Sequence, residues 1–541
     1  MRSFLVLLAL AFIGCGKQQV HLIVHHATIY TVDSGFSIAE AMAIADGKVV
    51  AIGTNQEILS AYNADNMLDA DEKPVYPGFN DAHAHFHGYA TTLQNVDLSH
   101  TRSWEEVLEK TWKFAQSNPQ GWLVGRGWDQ NEWAAPLFPD KELLDSLFPN
   151  RPVLLRRIDG HAAVANRLAL DIAEIHEGQE VPGGLVQHYQ GKLSGLLLDN
   201  AVNIVSQHIP PVDSARLATL LRAAQDSCFA YGLTSLSDCG LSVAQIHSLH
   251  NLQKSGQLTL RINAMIQDRD SDVAHFLKTG PVYTDYLRVA SVKCYGDGAL
   301  GSRGACLLRP YSDQPASHGF LLSDLAHFKK RAQQLYDAGF QMCTHAIGDS
   351  ANRVLLEVYA GVLPLNNDRR WRIEHAQVID SSDFALFAQY QIIPSVQPTH
   401  ATSDMKWAGE RLGPHRLKTA YAYRQLLRQN NYLPLGTDFP VEKINPILTF
   451  YAAVARKDQK HLPEEGFQIE NALNREEALR GITIWPAKAS FEETVKGSLE
   501  PGKWADFVIL DQDLMQVKEA EIPSVHVLQT FSAGVRQYMR H

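Results

Sequence analysis

YPGFNDAHAHFHGYA, residues Tyr76 to Ala90, sets three histidines on alternate positions, His83, His85 and His87. Alternate side chains of a β-strand share a face, so the imidazoles project to one side for as long as the strand lasts. Such a cluster is one that a metal ion can use. The strand is expected to end before His87. That leaves His83 and His85 as the candidate ligands and His87 as a residue of the pocket wall or of the layer behind the ligands.

Working outward, VYPGFNDAHAH is the first of eight short apolar runs that end in polar residues, with helical segments between them. The others are GLTSLSD, LRINAMIQ, LRVASVKCYGDG, FQMCTHAIGD, WRIEHAQ, IIPSVQPTH and LPLGTDFP. Strands alternating with helices imply a parallel sheet with both faces covered, and eight units predict an α/β fold of the TIM (β/α)8 barrel type. Nearly 150 residues separate the first run from Gly232, too long for a structureless loop. An inserted subdomain over about 95–225 is therefore expected after the first barrel strand. The N-terminal runs HLIVHHATIYTV and AMAIADGKVVAIG share their texture with the C-terminal GSLEPGKWADFVILDQD, which predicts one split β-sandwich from 16–77 and 485–541 around a barrel of 78–484.

The chain has 541 residues, is 45% hydrophobic and 20% charged, and carries a formal charge of -10. No basic block points to nucleic acid. At the N-terminus, Arg2 precedes an apolar run from Phe4 to Gly14 that is too short to span a bilayer and reads as a signal-peptide core. Phe12-Ile13-Gly14-Cys15 resembles a bacterial lipoprotein cleavage box, so residues 1–15 are expected to direct export, with Cys15 acylated and holding the protein to a membrane facing the periplasm or surface. The remaining cysteines, Cys228, Cys239, Cys294, Cys306 and Cys343, are odd in number and lack CxxC spacing, which indicates no disulfide framework.

Barrel enzymes build their sites at the carboxyl ends of the strands. There the runs place His83, His85, Lys293, His345, His375 and Asp438. Any one histidine in an apolar strand is more often a satisfied core residue, and Lys293 alone reads as a lysine salt-bridged to Asp297; the joint placement is what points to a site. Imidazole and carboxylate suit a borderline divalent ion, zinc first. A lysine near two such ions can lose its proton, add carbon dioxide and bridge them as a carbamate.

The order HxH, Lys, His, His, Asp, together with RIDGH, SVKCYGDGALGSRGA, EHAQ, SVQPTH and GTDFPV, resembles the amidohydrolase superfamily, within it the amidohydrolase 3 branch that is N-substituted formamide deformylase-like. The resemblance covers nearly the whole mature chain. It implies a metal-dependent hydrolase with one or two ions, His83, His85 and Asp438 on one, His345 and His375 on the other, and carboxylated Lys293 between. The expected reaction is hydrolysis of a carbon–nitrogen bond other than a peptide, of amide or N-substituted formamide type, by a metal-activated hydroxide. Asp438 is the catalytic residue that moves the proton. Candidates for substrate contact are His161, Arg303, His400 and Trp128, with Trp133 assigned to the core of the insert. A cyclic amidine deaminase or lactonase uses the same hydroxide, and a surface-binding lipoprotein without activity is the reading from another class. The partners expected are a small-molecule substrate, a membrane through the lipid anchor, and a second copy in a homodimer.

Overall fold

The computed structural model describes residues 17–540; Cys15 and the apolar run before it lie outside the described residues. At its centre seven parallel strands follow one another in chain order: Phe79–Ala84, Leu233–Leu241, Arg261–Gln267, Leu287–Tyr295, Gln341–Ala346, Arg372–His375 and Ile393–Ser395. Each pairs with the next in parallel register. Between the last and the first runs the stretch 433–439. Val396 N–H donates to Pro434 O (3.1 Å), and Gly436 N–H donates back to Val396 O (3.0 Å). On the other side Ala82 N–H donates to Leu435 O (3.1 Å) and Asp438 N–H to His83 O (2.8 Å). The sheet is thus nearly closed and barrel-like.

The strands read as continuous buried runs rather than alternating ones, because helices cover the sheet. Phe79–Ala84 and Gln341–Ala346 are buried at every residue. The helices carry their own start signals. Val243–Lys254 opens with a capping box in which the Ser242 hydroxyl accepts from Gln245 N–H and the Gln245 side chain accepts in return, an arrangement that satisfies two otherwise orphaned donors.

The two ends of the chain meet. Pro74–Pro77 pairs antiparallel with Phe507–Leu510, which pairs with Val527–Ser532. A second sheet of Gln18–His25, Ala41–Ala45, Lys48–Gly53 and Tyr62–Asp69 packs on the first through a shared core that includes Val24, Ile29, Ile44, Phe507 and Phe531. The expected start of this unit at residue 485 is too early: Trp485 and Ala489 belong to the barrel core, and the tail joins the N-terminal strands from Leu499 onward.

The insert is a six-stranded sheet running from Val96–Asp97 to Lys192–Asp199, with two apolar cores of its own. It ends earlier than the expected 225, since the helix Ser214–Ala230 packs Leu220, Leu221 and Ala224 into the barrel. All five described cysteines are free thiols. No helix among the described residues is long and apolar enough to cross a membrane.

Candidate metal centre

His83, at the end of the first strand, is fully buried, and its Nδ1 donates to the Glu374 carboxylate at 2.6 Å. His85 donates from Nδ1 to the carbonyl of Cys239 (3.2 Å), and His375 from Nδ1 to Oε1 of Gln397 (2.6 Å). With the proton of each ring on Nδ1, each Nε2 is left with its lone pair. Outer partners of this kind fix the tautomer and orientation of metal-binding imidazoles.

Those lone pairs face further electron-rich atoms. Asp438 Oδ1 is buried and accepts no hydrogen bond, although it lies 3.1 Å from His85 Nε2 and 3.6 Å from His83 Nε2. Nε2 of His345 is likewise buried without a partner. Ligand atoms of His83, His375 and Asp438 all lie within 4.8 Å of one another. Buried acceptors with no proton between them repel unless a cation intervenes, so the donor set fits a divalent ion. Lys293 Nζ, fully buried, stands 3.1 Å from His83 Nε2.

The protonation states agree with that fit. Burial, then the neighbouring Lys293, pushes His83 down to about 4. Burial also holds His345 and His375 well below the usual imidazole range. Burial alone would raise Asp438, but its contacts, His400 at Oδ2 among them, hold the carboxylate well below the usual range. Neutral imidazoles beside a carboxylate are the state that metal binding requires. Lys293 differs: burial lowers it, yet Cys239, Tyr295, Glu374 and Asp438 outweigh that and hold the amine charged. A carbamate needs the neutral amine, which a cation's field at this site favours.

Backbone geometry serves the cluster too. His375 and Asp438 have φ of 72° and 60°, in the left-handed region that non-glycine residues seldom occupy. Each such residue costs about 1–3 kcal/mol and persists where the surroundings over-determine it. Both sit just where their runs end and turn inward.

One cavity of about 1440 Å³ opens onto His85, Lys293, His345, His375 and Asp438, and the insert forms its far wall. His161 is on that wall: its Nδ1 donates to Asp199 Oδ1 at 2.7 Å, and its ring lies 5.2 Å from that of His345. Burial would lower its pKa, but Asp199 raises it above the ordinary value. The Gly-rich stretch 298–304 packs against Asp199; a Cβ at Gly298 would stand 2.6 Å from the carboxylate, so only glycine fits. His400 bridges Asp438 Oδ2 (3.2 Å) and Glu442 Oε1 (3.3 Å), and those contacts outweigh burial and lift it to about 10.

Two expected substrate contacts are displaced. Trp128 is fully buried in the core of the insert beside Trp133, its indole N–H donating to Leu155 O at 2.8 Å. Arg303 pairs with Asp313 (2.8 Å) and does not line the cavity. His87 is buried behind the first strand's end, its Nδ1 3.2 Å from the Gln245 amide. Asp297 does not pair with Lys293; it accepts backbone N–H groups of Ile347, Gly348 and Cys306. Sequence reasoning missed Glu374, Gln397 and Asp199, the groups that hold the imidazoles.

Comparison with known proteins adds four likenesses. The sequence model of the Amidohydrolase family matches residues 66–538. Among curated proteins, the putative amidohydrolase YtcJ of Bacillus subtilis is 29% identical, covering 94% of this chain and 98% of its own. N-substituted formamide deformylase of Arthrobacter pascens is 27% identical, covering 97% and 99%. The crystal structure of an uncharacterized metal-dependent hydrolase from Pyrococcus horikoshii superposes with a TM-score of 0.75 at 27% identity, covering 92% of this chain and 99% of that one.

Proposed function

Because the chain belongs to the amidohydrolase family, we propose that this hydrolase cleaves a carbon–nitrogen bond other than a peptide, of the amide or N-substituted formamide type, on a (β/α)8 barrel. The observation that carries the reading is the convergence of neutral imidazoles and an ionised carboxylate, with unpartnered buried acceptors, at the mouth of one cavity. His83, His85, His345, His375 and Asp438 would hold one or two divalent ions, zinc first, with Lys293 as the bridge once carboxylated. A divalent ion there supplies Lewis acidity and brings the pKa of water from 15.7 to about 7.

The residues of the chain do the rest. Asp438 takes a proton from the attacking water and returns it to the leaving nitrogen; its Oδ2 is aimed by His400, which Glu442 holds from behind. The water's hydroxyl ends on the carbonyl carbon, and the C–N bond breaks to give an acid and an amine. His161, whose pKa its partner Asp199 raises, faces the same cavity and in its protonated form donates to the carbonyl oxygen as negative charge develops. The relative from Arthrobacter pascens, a deformylase by name, supports formamides as the first substrates to try.

The test is release of formate and amine from N-alkylformamides, and of carboxylate and amine from N-acyl compounds, by zinc-loaded protein. Asp438→Asn is expected to lower kcat/KM by about 10²–10⁴. Ammonia released from a ring amidine, or ring opening of a lactone in place of amide cleavage, would overturn the amide reading. Export and acylation at Cys15 belong to the same proposal and are read by lipid labelling of the intact chain against Cys15→Ser.

A further inference from the structure

The cavity wall formed by the insert contains a guanidinium that the chemistry above does not use. Arg126 lies on the strand Leu123–Trp128 and lines the same cavity as His161, His375 and Asp438. Its Nη2 donates to Ile158 O at 2.9 Å, while its Nε is buried without any partner. Among the described residues no carboxylate forms a salt bridge with it. The contrast is with Arg157 on the adjacent strand, which is saturated by Asp129 and Asp159 on one side and the other. Asp159 and Asp438 act on Arg126 through space, but both are already committed: Asp159 to Arg157 and to His161 N–H, Asp438 to the histidines.

Local backbone geometry aims this side chain. The register of the strand slips between Arg126 and Trp128, a bulge of the sort that re-aims side chains next to active sites. Gly127, between them, has φ of 121°, and a Cβ there would stand 2.6 Å from Ser99 N. Arg126 is thus presented to the cavity with its remaining Nη donors free to meet a carboxylate. A half-buried guanidinium whose only protein partner is one carbonyl, with its Nε shut off from any acceptor, is left under-satisfied unless a ligand completes it.

Resting on the hydrolase reading, we propose that Arg126 docks a carboxylate of the substrate, so that the amide cleaved carries a free acid, as an N-acylated amino acid does. The anion anchors at the insert while the scissile carbonyl reaches the cluster at the barrel mouth. Binding of the acid then selects substrate without entering the bond-breaking step.

The experiment compares N-formylphenylalanine and N-formylleucine with the same formamides lacking the carboxylate, N-formylphenethylamine and N-formylisopentylamine, on zinc-loaded wild type, Arg126→Met and Arg126→Lys. Wild type is expected to favour the acids by about 10- to 100-fold, mainly in KM, the worth of a charge-assisted hydrogen bond. Arg126→Met abolishes that preference and leaves kcat on the neutral formamides unchanged, and Arg126→Lys keeps part of it. Equal use of acids and neutral formamides by wild type, or a preference that survives Arg126→Met, would overturn the proposal. Should Arg126→Met not fold, Arg126→Lys decides: an undiminished preference overturns it. If no formamide or acyl compound is cleaved, the hydrolase reading fails by itself. The anion site is then judged on metal-stripped protein by binding of benzoate against benzamide, where tighter benzoate binding lost in Arg126→Met sustains it and equal binding sinks it.

Discussion

The Glu374 carboxylate lies 2.6 Å from Nδ1 of His83, and neither side chain has any solvent exposure. Glu374 also accepts from Arg372 Nη2 at 3.0 Å, and Arg372 reaches on to Ala82 O and Ser395 Oγ. Burial would raise Glu374, but Arg372 first and then His83 hold it well below the usual carboxylate range. One ionised carboxylate therefore fixes the tautomer of a candidate ligand and compensates a buried guanidinium.

Glu374→Gln separates the two duties. Metal affinity, read by competition with a chromophoric chelator, is expected to fall by about 10–100-fold. Stability falls by about 3–5 kcal/mol in thermal or denaturant unfolding, because Arg372 is left buried and uncompensated. Adding Arg372→Met recovers most of the stability and none of the metal affinity. Recovery of both would mean that Glu374 serves packing alone.

A second prediction concerns protonation. His161 is raised above its ordinary pKa because Asp199, 2.7 Å away, outweighs the effect of burial. Asp199→Asn removes that charge, so the imidazole loses its proton at lower pH than in wild type. Histidine-resolved NMR of metal-stripped protein should show the downward displacement. If protonated His161 polarises the substrate carbonyl, the alkaline limb of the pH–rate profile moves down with it. A titration unchanged by Asp199→Asn would leave the pair without this role.

Much of this arrangement is legible in the sequence, and the rest is not for identifiable reasons. The eight runs correspond to the seven central strands and the closing stretch 433–439, because each is an apolar segment of strand length bounded by turn residues. His83, Lys293, His345 and His375 lie on those strands, with His85 and Asp438 just beyond strand ends, so the strand pattern brings all six to one end of the barrel. Trp128 and Arg303 misled because their destinations depend on the path of an insert and a loop, which periodicity does not determine. Glu374 did leave a signal: an acidic residue inside the apolar run WRIEH, which burial tolerates only when paired. The carbonyl of Cys239 left none, since a backbone group has no sequence identity.

The position of Trp128 has a direct consequence. The indole is wholly inside the insert, ring to ring with Trp133 at 6.0 Å. Trp128→Phe forfeits the hydrogen bond to Leu155 O and leaves a small void, costing about 1–3 kcal/mol. KM for a neutral formamide should stay at the wild-type value in protein that remains folded. A large rise in KM with unchanged melting would return Trp128 to the substrate.

The last prediction joins the chain's tail to the barrel. Arg261, at the start of the third central strand, meets Asp506 through Nε at 2.7 Å and Nη2 at 3.2 Å, both residues nearly inaccessible, and its guanidinium lies over Trp504 at 4.3 Å. Asp506 also accepts from Ala533 N–H, so one carboxylate ties the tail's strands to the barrel. Asp506→Ala strands a buried charge and an amide, and is expected to cost about 3–5 kcal/mol. Because the pair lies at the amino end of its strand, opposite the histidine cluster, metal affinity of the surviving folded protein should be unchanged. Unfolding curves and chelator competition on the same samples check both halves. Loss of metal binding without loss of stability would show that the tail communicates with the site rather than simply holding the barrel.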